Sequence, residues 1–439
     1  MKKSSFRVYL LLAAAMLTGN AWAGECGLDT VGCGTCANDL SAVSCADPSC
    51  TSACYSPLCG IEYNGYINAG GTFGMSNGGA KYNVLNAGSD NTLGLDGAYI
   101  SVFKKAQNGC GIMDWGFGYD TMFGRDARYL SGYTGWDSQW ETGKRSSDFN
   151  NLQTLTDGQR EGYGFAMPQL YGEFSVNNFT VKAGHFYGLA GYESARADQR
   201  FFYAYARNFD VTPITHSGAL VSWNGFQNLD VTIGWVNGIN NTFENDYDES
   251  MLTGAFKYKA DCWDVKYSYL VGDGAMYGIK GDRFHNDVVF TRKLNCKWDA
   301  AFMYNYGSFN GDEAADAGDY YYSSVTDMMH VLGTDNVDYQ TFAGYLFYTW
   351  NPCWKFGLRT EWQKGSTDIA DGETFETNLF NVGLGANWSP MVGDNLIVRP
   401  EIRYDSSDQA IFGAPETTGD RDGLKKSQYT LAFDVLYKF

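Results

Sequence analysis

Apolar and polar side chains alternate through the last eleven residues, Tyr429 to Phe439. Tyr429, Leu431, Phe433, Val435, Tyr437 and Phe439 share one face, while Thr430, Ala432, Asp434 and Lys438 share the other, with Leu436 an apolar exception. Successive side chains of a strand point to opposite sides, so this pattern predicts a strand with one greasy and one wet face. The pattern recurs from residue 61 onward, at the length a tilted strand needs to cross a bilayer. Sixteen strands are predicted, near 61–74, 94–105, 111–123, 164–177, 178–187, 216–224, 228–237 and 251–259, then 262–271, 284–294, 297–308, 339–350, 353–363, 376–388, 395–405 and 428–439.

Three of these alternate most cleanly. Trp354, Phe356, Leu358, Thr360 and Trp362 oppose Lys355, Arg359, Glu361 and Gln363. Leu396, Val398, Pro400, Ile402 and Tyr404 oppose Arg399, Glu401, Arg403 and Asp405. Trp298, Ala300, Phe302, Tyr304 and Tyr306 oppose Asp299 and Asn305. A charge at every second position facing lipid would cost several kcal/mol near the midplane, so these faces are expected to line water. The fold class that follows is all-β, a transmembrane antiparallel barrel. Sixteen strands is a size at which a barrel leaves an aqueous channel.

Link lengths alternate as well. Asn177-Asn178, Gly225-Phe226-Gln227, Ala260-Asp261 and Asn351-Pro352 are tight, whereas 124–163, 188–215, 309–338 and 406–427 are long. Short periplasmic turns and long external loops are the habit of outer-membrane barrels. Trp223, Trp263, Trp298, Trp350, Trp354 and Trp388 fall near short turns, where an interfacial aromatic girdle belongs. A soluble all-β core is the competing reading of these aromatics, but no propeller-like repeat is visible.

Composition agrees with a barrel. Mean hydropathy is −0.32 although 16% of residues are aromatic, and no run of eighteen apolar residues follows the leader. Lys2, Lys3 and Arg7, the apolar stretch Val8 to Leu17 and Ala21-Trp22-Ala23 read as a signal peptide over 1–23, with Gly24 first in the mature chain. Glu25 before Cys26 excludes a lipoprotein box. Loss of the leader's three positive charges takes the net charge from −18 to −21, which disfavours nucleic acid as a partner.

Residues 24–60 form a cysteine-rich segment expected in the periplasm, holding Cys26, Cys33, Cys36, Cys45, Cys50, Cys54 and Cys59. Cys110, Cys262, Cys296 and Cys353 each fall at a short turn. Every cysteine is thereby expected on the oxidising side. Neighbouring hairpins lie about 9–10 Å apart, too far for a bridge, so turn cysteines are expected to pair with the amino-terminal segment. Metal binding by Cys33-Gly34-Thr35-Cys36 is the rival reading; no metal or cofactor is assigned.

The blocks Gly184-His185-Phe186-Tyr187-Gly188, Gly191-Tyr192-Glu193, Arg200-Phe201-Phe202-Tyr203, Pro213-Ile214-Thr215-His216-Ser217-Gly218 and Gly234-Trp235-Val236-Asn237-Gly238 resemble the beta-barrel porin-2 (OmpL-like) family. The resemblance spans residue 61 to the end. It implies an outer-membrane channel for passive diffusion of ions and small hydrophilic solutes, with lipid around it and a homotrimer as assembly. It also implies that the third external loop folds inward as a pore constriction carrying Glu193, Arg196, Asp198, Arg200, Arg207 and Asp210, interleaved with Phe201, Phe202, Tyr203 and Tyr205. Lys355, Arg359, Glu361, Arg399, Glu401 and Arg403 would line the pore, either as an open charged wall or as salt bridges between strands. A surface adhesin anchored by the barrel is the alternative function.

Catalysis finds little support. The histidines are His185, His216, His285 and His330; His216 and Ser217 point apart on a strand, and no GxSxG occurs. The 309–338 loop carries Asp312, Glu313, Asp316, Asp319, Asp327, Asp335 and Asp338 without a calcium-ligand spacing.

Overall fold

The computed structural model describes residues 60–74, 93–106, 113–130, 163–243, 245, 248–276, 279–311, 336–369, 373–390, 395–412 and 425–439. Sixteen strands run in chain order. They are β1 (Glu62–Gly74), β2 (Gly94–Lys104), β3 (Asp114–Gly124), β4 (Gly164–Val176), β5 (Phe179–Tyr187), β6 (Thr215–Trp223), β7 (Leu229–Val236) and β8 (Ser250–Lys259). The rest are β9 (Trp263–Met276), β10 (Ile279–Lys293), β11 (Trp298–Gly311), β12 (Asn336–Asn351), β13 (Trp354–Ile369), β14 (Glu373–Trp388), β15 (Leu396–Ser407) and β16 (Ser427–Lys438). Each pairs antiparallel with its sequence neighbours, and β1 pairs with β16, closing the barrel. Closure leaves no free sheet edge, which a lipid environment requires.

The alternation read from sequence sorts the two faces. Leu384, Ile402, Phe380, Leu431 and Ile233 are exposed on the outer wall. Arg359, Glu361, Arg399, Glu401, Arg403 and Asp405 are buried on the inner one. Leu436, the apolar exception, is also buried, in a cluster with Tyr66, Tyr99 and Phe209. Trp263, Trp298, Trp350 and Trp388 stand exposed at the short-turn rim, where Trp354 stacks on Trp388. The Asn177-Asn178 hairpin has Asn177 at φ 53, a left-handed position that asparagine tolerates well.

Several strands outrun their expected ends. β9 and β10 stay paired to Met276 and Ile279, and β13 and β14 to Ile369 and Glu373, so those two outer links are short. Gly272-Asp273-Gly274 reads as a turn in sequence, yet Gly272 lies within β9. With φ +141, a Cβ there would meet the Ser250 carbonyl oxygen at 2.4 Å, so glycine serves a close backbone approach. Asp338 likewise belongs to β12, where Tyr306 Oη donates to it at 2.8 Å, and not to a loop. The other acidic residues of that loop, and His330, lie outside the described residues.

Apart from the strands there is one helical turn, α1 (Ala127–Leu130), and two 3-10 turns, Ala197–Gln199 and Arg207–Asp210, among the described residues. No described helix is long and apolar enough to cross a membrane. The stretch read as a signal peptide, 1–23, and residues 24–59 lie outside the described residues.

Candidate functional site

Loop 3, residues 188–214 between β5 and β6, lies inside the barrel. Its neck is closed by Gly188 N–H donating to Ile214 O at 2.8 Å. Beyond the neck it crosses to the opposite wall, where β13 and β15 carry arginines on inward positions.

Those cations hold the loop by its backbone. Arg359 Nη1 donates to Ala204 O at 2.9 Å and Arg403 Nη1 to Tyr205 O at 3.0 Å. Arg399 Nη1 donates to Ala197 O at 2.7 Å and to Arg200 O at 3.0 Å. Carboxylates on the same wall accept the loop's amides. Glu401 takes Ala204 N–H at 3.0 Å, and Glu361 takes Arg207 N–H at 3.1 Å and Asn208 N–H at 3.3 Å. An irregular segment buried in a barrel must find partners for its backbone polar groups, and alternating arginine and glutamate supply donors and acceptors in turn.

The charges are also paired with one another. Arg359 contacts Glu193 at 2.9 Å, Glu401 at 3.2 Å and Glu361 at 3.7 Å, and stacks 4.5 Å above the Phe202 ring. Arg399 grips Asp434 with two nitrogens, and Arg403 and Arg207 share Asp405. On this wall Arg403 pairs within β15, Arg399 pairs from β15 to β16, and Arg359 pairs from β13 to β15 and to the loop. Lys355 differs: it stays 39% exposed near the short-turn rim, 3.4 Å from Asp299.

On the loop, Arg196 holds Asp198 with two nitrogens and reaches Asn64 Oδ1 at 2.8 Å. Arg200 pairs with Asp126 at 3.4 Å and lies 3.7 Å over the Tyr205 ring. Asp210 belongs to the second 3-10 turn. Burial pushes the phenols of Tyr203 and Tyr205 above their usual range, so both stay neutral donors, to Asp96 at 2.9 Å and Ala195 O at 3.0 Å. Burial likewise raises the carboxyl of Glu249 in the β7–β8 loop, beside Asn241 Nδ2 at 2.7 Å.

Glycines on the wall make room for the loop's aromatics. A Cβ on Gly357 would meet Phe201 Cε1 at 2.4 Å, and one on Gly385 would meet Phe202 Cδ1 at 3.0 Å. Phe201 and Phe202 pack on Phe347, and Tyr192 on Tyr345 at 4.6 Å. Beneath them a cavity of about 640 Å³ opens toward the short-turn rim, bounded in part by Trp263, Lys293, Asp299 and Lys355.

Sequence reasoning passed over several partners. On the β1–β4 side, Arg125 donates with two nitrogens to the buried Asp96 Oδ1, and also to Gly70 O at 2.7 Å. Lys266 Nζ holds Leu189 O at 2.8 Å and Gly191 O at 2.7 Å, while Asp287 accepts Gly191 N–H. Asp405 and Asp434 were on faces already read as wet. Asp126 and Arg125 sit just past β3, where period-two alternation gives no signal.

Cys262 and Cys296 are exposed and Cys353 half-buried, all at short turns; the remaining cysteines lie outside the described residues. His185 Nδ1 stands 2.9 Å from Ser217 Oγ, whose own proton goes to Asn241 O at 3.1 Å. The serine therefore accepts from the imidazole rather than being activated by it.

The model of the beta-barrel porin-2, OmpL-like family matches residues 60–439. Among solved structures, the anion-selective porin from Comamonas acidovorans aligns at TM-score 0.53 and 10% identity, over 86% of this chain and 99% of that one. The outer membrane channel DcaP of Acinetobacter baumannii aligns at TM-score 0.53 and 10% identity, over 86% of this chain and 97% of that one. At such identity the likeness is one of fold. No curated protein matches this chain.

Proposed function

We propose, from the premise that this chain belongs to the beta-barrel porin-2, OmpL-like family and forms an outer-membrane channel for ions and small hydrophilic solutes, that loop 3 is the channel's constriction. The observation that carries this reading is the clamp of Arg359, Arg399 and Arg403 on loop carbonyls, which holds the loop across the lumen. Glu193, Arg196, Asp198, Arg200, Arg207 and Asp210 then set the narrowest section. Arg359, Glu361, Arg399, Glu401 and Arg403 form the wall they close against, and Lys355 faces the periplasmic vestibule.

Charge compensation argues against a strong field from this wall. Arg200, Arg207, Arg359, Arg399 and Arg403 are matched by Asp126, Asp405, Glu193, Glu361, Glu401 and Asp434. The anion selectivity of the Comamonas porin is therefore not carried over to this chain.

The family points to a channel rather than an enzyme, and the buried His185–Ser217 pair has no acid on His185 Nε2 among the described residues. A signal peptide over 1–23 delivers the chain across the inner membrane, and it assembles as a homotrimer. Liposome swelling tests the reading. Proteoliposomes should swell in small sugars at rates that fall steeply with solute size. Rates equal to those of protein-free liposomes would refute it.

A further inference from the structure

The inner wall of β10–β13 behind loop 3 carries polar groups that find no partner among the described residues. Asp287, Asn305, Thr341 and Gln363 are successive cross-strand neighbours, forming one row at a single height. All four are buried. Asp287 is satisfied by Ser268 Oγ and Gly191 N–H. Asn305 Oδ1 and Nδ2, Thr341 Oγ1 and Gln363 Nε2 have no hydrogen-bond partner among the described residues. Buried polar side chains are ordinarily hydrogen-bonded, and each left alone costs about 1–3 kcal/mol.

Loop 3 bonds to this row at Asp287, through Gly191 N–H, and leaves the four atoms just named on Asn305, Thr341 and Gln363 unbonded. Just below, Asn208 Nδ2 contacts Met303 Sδ at 3.1 Å, and Glu361 takes the amides of Arg207 and Asn208. Just above, Tyr339 Oη donates to Val211 O at 3.3 Å. The Asn305–Thr341–Gln363 part of the row is bracketed by loop contacts and skipped by them. Below the bracket, the next inward row is apolar on β10–β12, Val289, Met303 and Ala343, and ends on Glu361 of β13. Below that comes Tyr345, whose hydroxyl also lacks a partner and which bounds the 640 Å³ vestibule. Above the row, His285 Nε2 is again unpartnered.

We infer that solutes cross the constriction along this strip, between the Arg207–Thr212 stretch of loop 3 and the β10–β13 wall, with the Asn208–Met303 contact as the point of closure. The inference rests on the channel reading and assigns the path to this polar row, away from the points where Arg359, Arg399 and Arg403 bind the loop. Two features favour this side. The arginine wall is bonded to the loop at every step, whereas the strip offers the several donors and acceptors that mobile water or a hydroxylated solute needs. The apolar row below it forms a short sill of the kind that gates by dewetting. The row itself carries no cation and one carboxylate, Asp287, with Glu361 bordering it on β13 and Arg207 of the loop paired to Asp405, so small neutral and cationic hydrophilic solutes suit it better than anions.

Cysteine substitution in planar bilayers tests this, with the wild-type channel, native cysteines included, as baseline. A trimethylammonium methanethiosulfonate should cut the conductance of Thr341→Cys and Asn305→Cys roughly by half or more, since the added group narrows a tight polar passage. Leu384→Cys on the lipid face should conduct unchanged. Met303→Ser should raise conductance, and a potassium chloride gradient should give a reversal potential of cation preference. Mass spectrometry of the treated protein reports labelling independently of conductance. Thr341→Cys and Asn305→Cys channels that conduct normally and stay unlabelled, or an anion preference, overturn the inference while leaving the channel standing. A wild type that conducts nothing overturns the channel reading itself.

Discussion

Arg399 reaches the carbonyl oxygen of Ala197 at 2.7 Å while its other edge grips Asp434. One side chain thus ties the loop inside the barrel to a carboxylate on the last strand. Arg359 and Arg403 repeat the arrangement, with Glu401 and Asp405 as their wall carboxylates.

Arg399→Met should therefore have two separable effects. Removing one partner of a buried pair costs about 3–5 kcal/mol, read as a lower temperature for loss of the compact band on unheated gels. Arg399→Met with Asp434→Leu should recover much of that stability. It should not recover resistance of Phe201, Phe202 and Tyr203 to chymotrypsin, because the Ala197 and Arg200 carbonyls lose the same donor in both variants. A double variant as protease-resistant as wild type would mean that Arg399 does not hold the loop.

Gly357→Ala and Gly385→Ala place a methyl against Phe201 and Phe202, and should destabilise the barrel by about 1–3 kcal/mol through overpacking. Gly172→Ala is the control, since nothing lies within 4 Å of its Cβ. Urea midpoints in detergent compare the three, and equal midpoints would show that the loop aromatics do not press on the wall.

Leu384 is 54% exposed on the outer wall beside Gly383, which faces Arg359. Leu384→Arg should destabilise folding into lipid vesicles by about 2–4 kcal/mol if the site is near the midplane. Leu384→Phe should be nearly neutral. Folding titrations in vesicles read both, and an arginine tolerated as well as phenylalanine would put this face against water.

The turn cysteines carry a covalent prediction. Non-reducing peptide mapping should find Cys262, Cys296 or Cys353 bridged to a cysteine between Cys26 and Cys59. Bridges confined to the amino-terminal segment would show that it is not tethered to the barrel.

Most of the fold was legible because a barrel imposes period two on every strand. The alternation through 354–363 and 396–405 assigns Arg359 and Arg403 to the inner face. Strand ends were less legible: Gly272 reads as a turn residue but serves a close strand approach, so β9 continues past it. The site was legible as a set of residues and not as a set of bonds. Loop 3 was recognisable from its aromatic and charged blocks. That its carbonyls take the wall arginines depends on contacts across 155 or more residues, which no local pattern encodes.

Single-channel recording in planar bilayers tests the central claim, that the inward faces of sixteen strands enclose a water-filled passage. The purified protein should produce discrete, uniform current steps whose size scales with salt concentration. A protein that inserts stably, keeps its β-rich circular dichroism and passes no current at any salt concentration would contradict it.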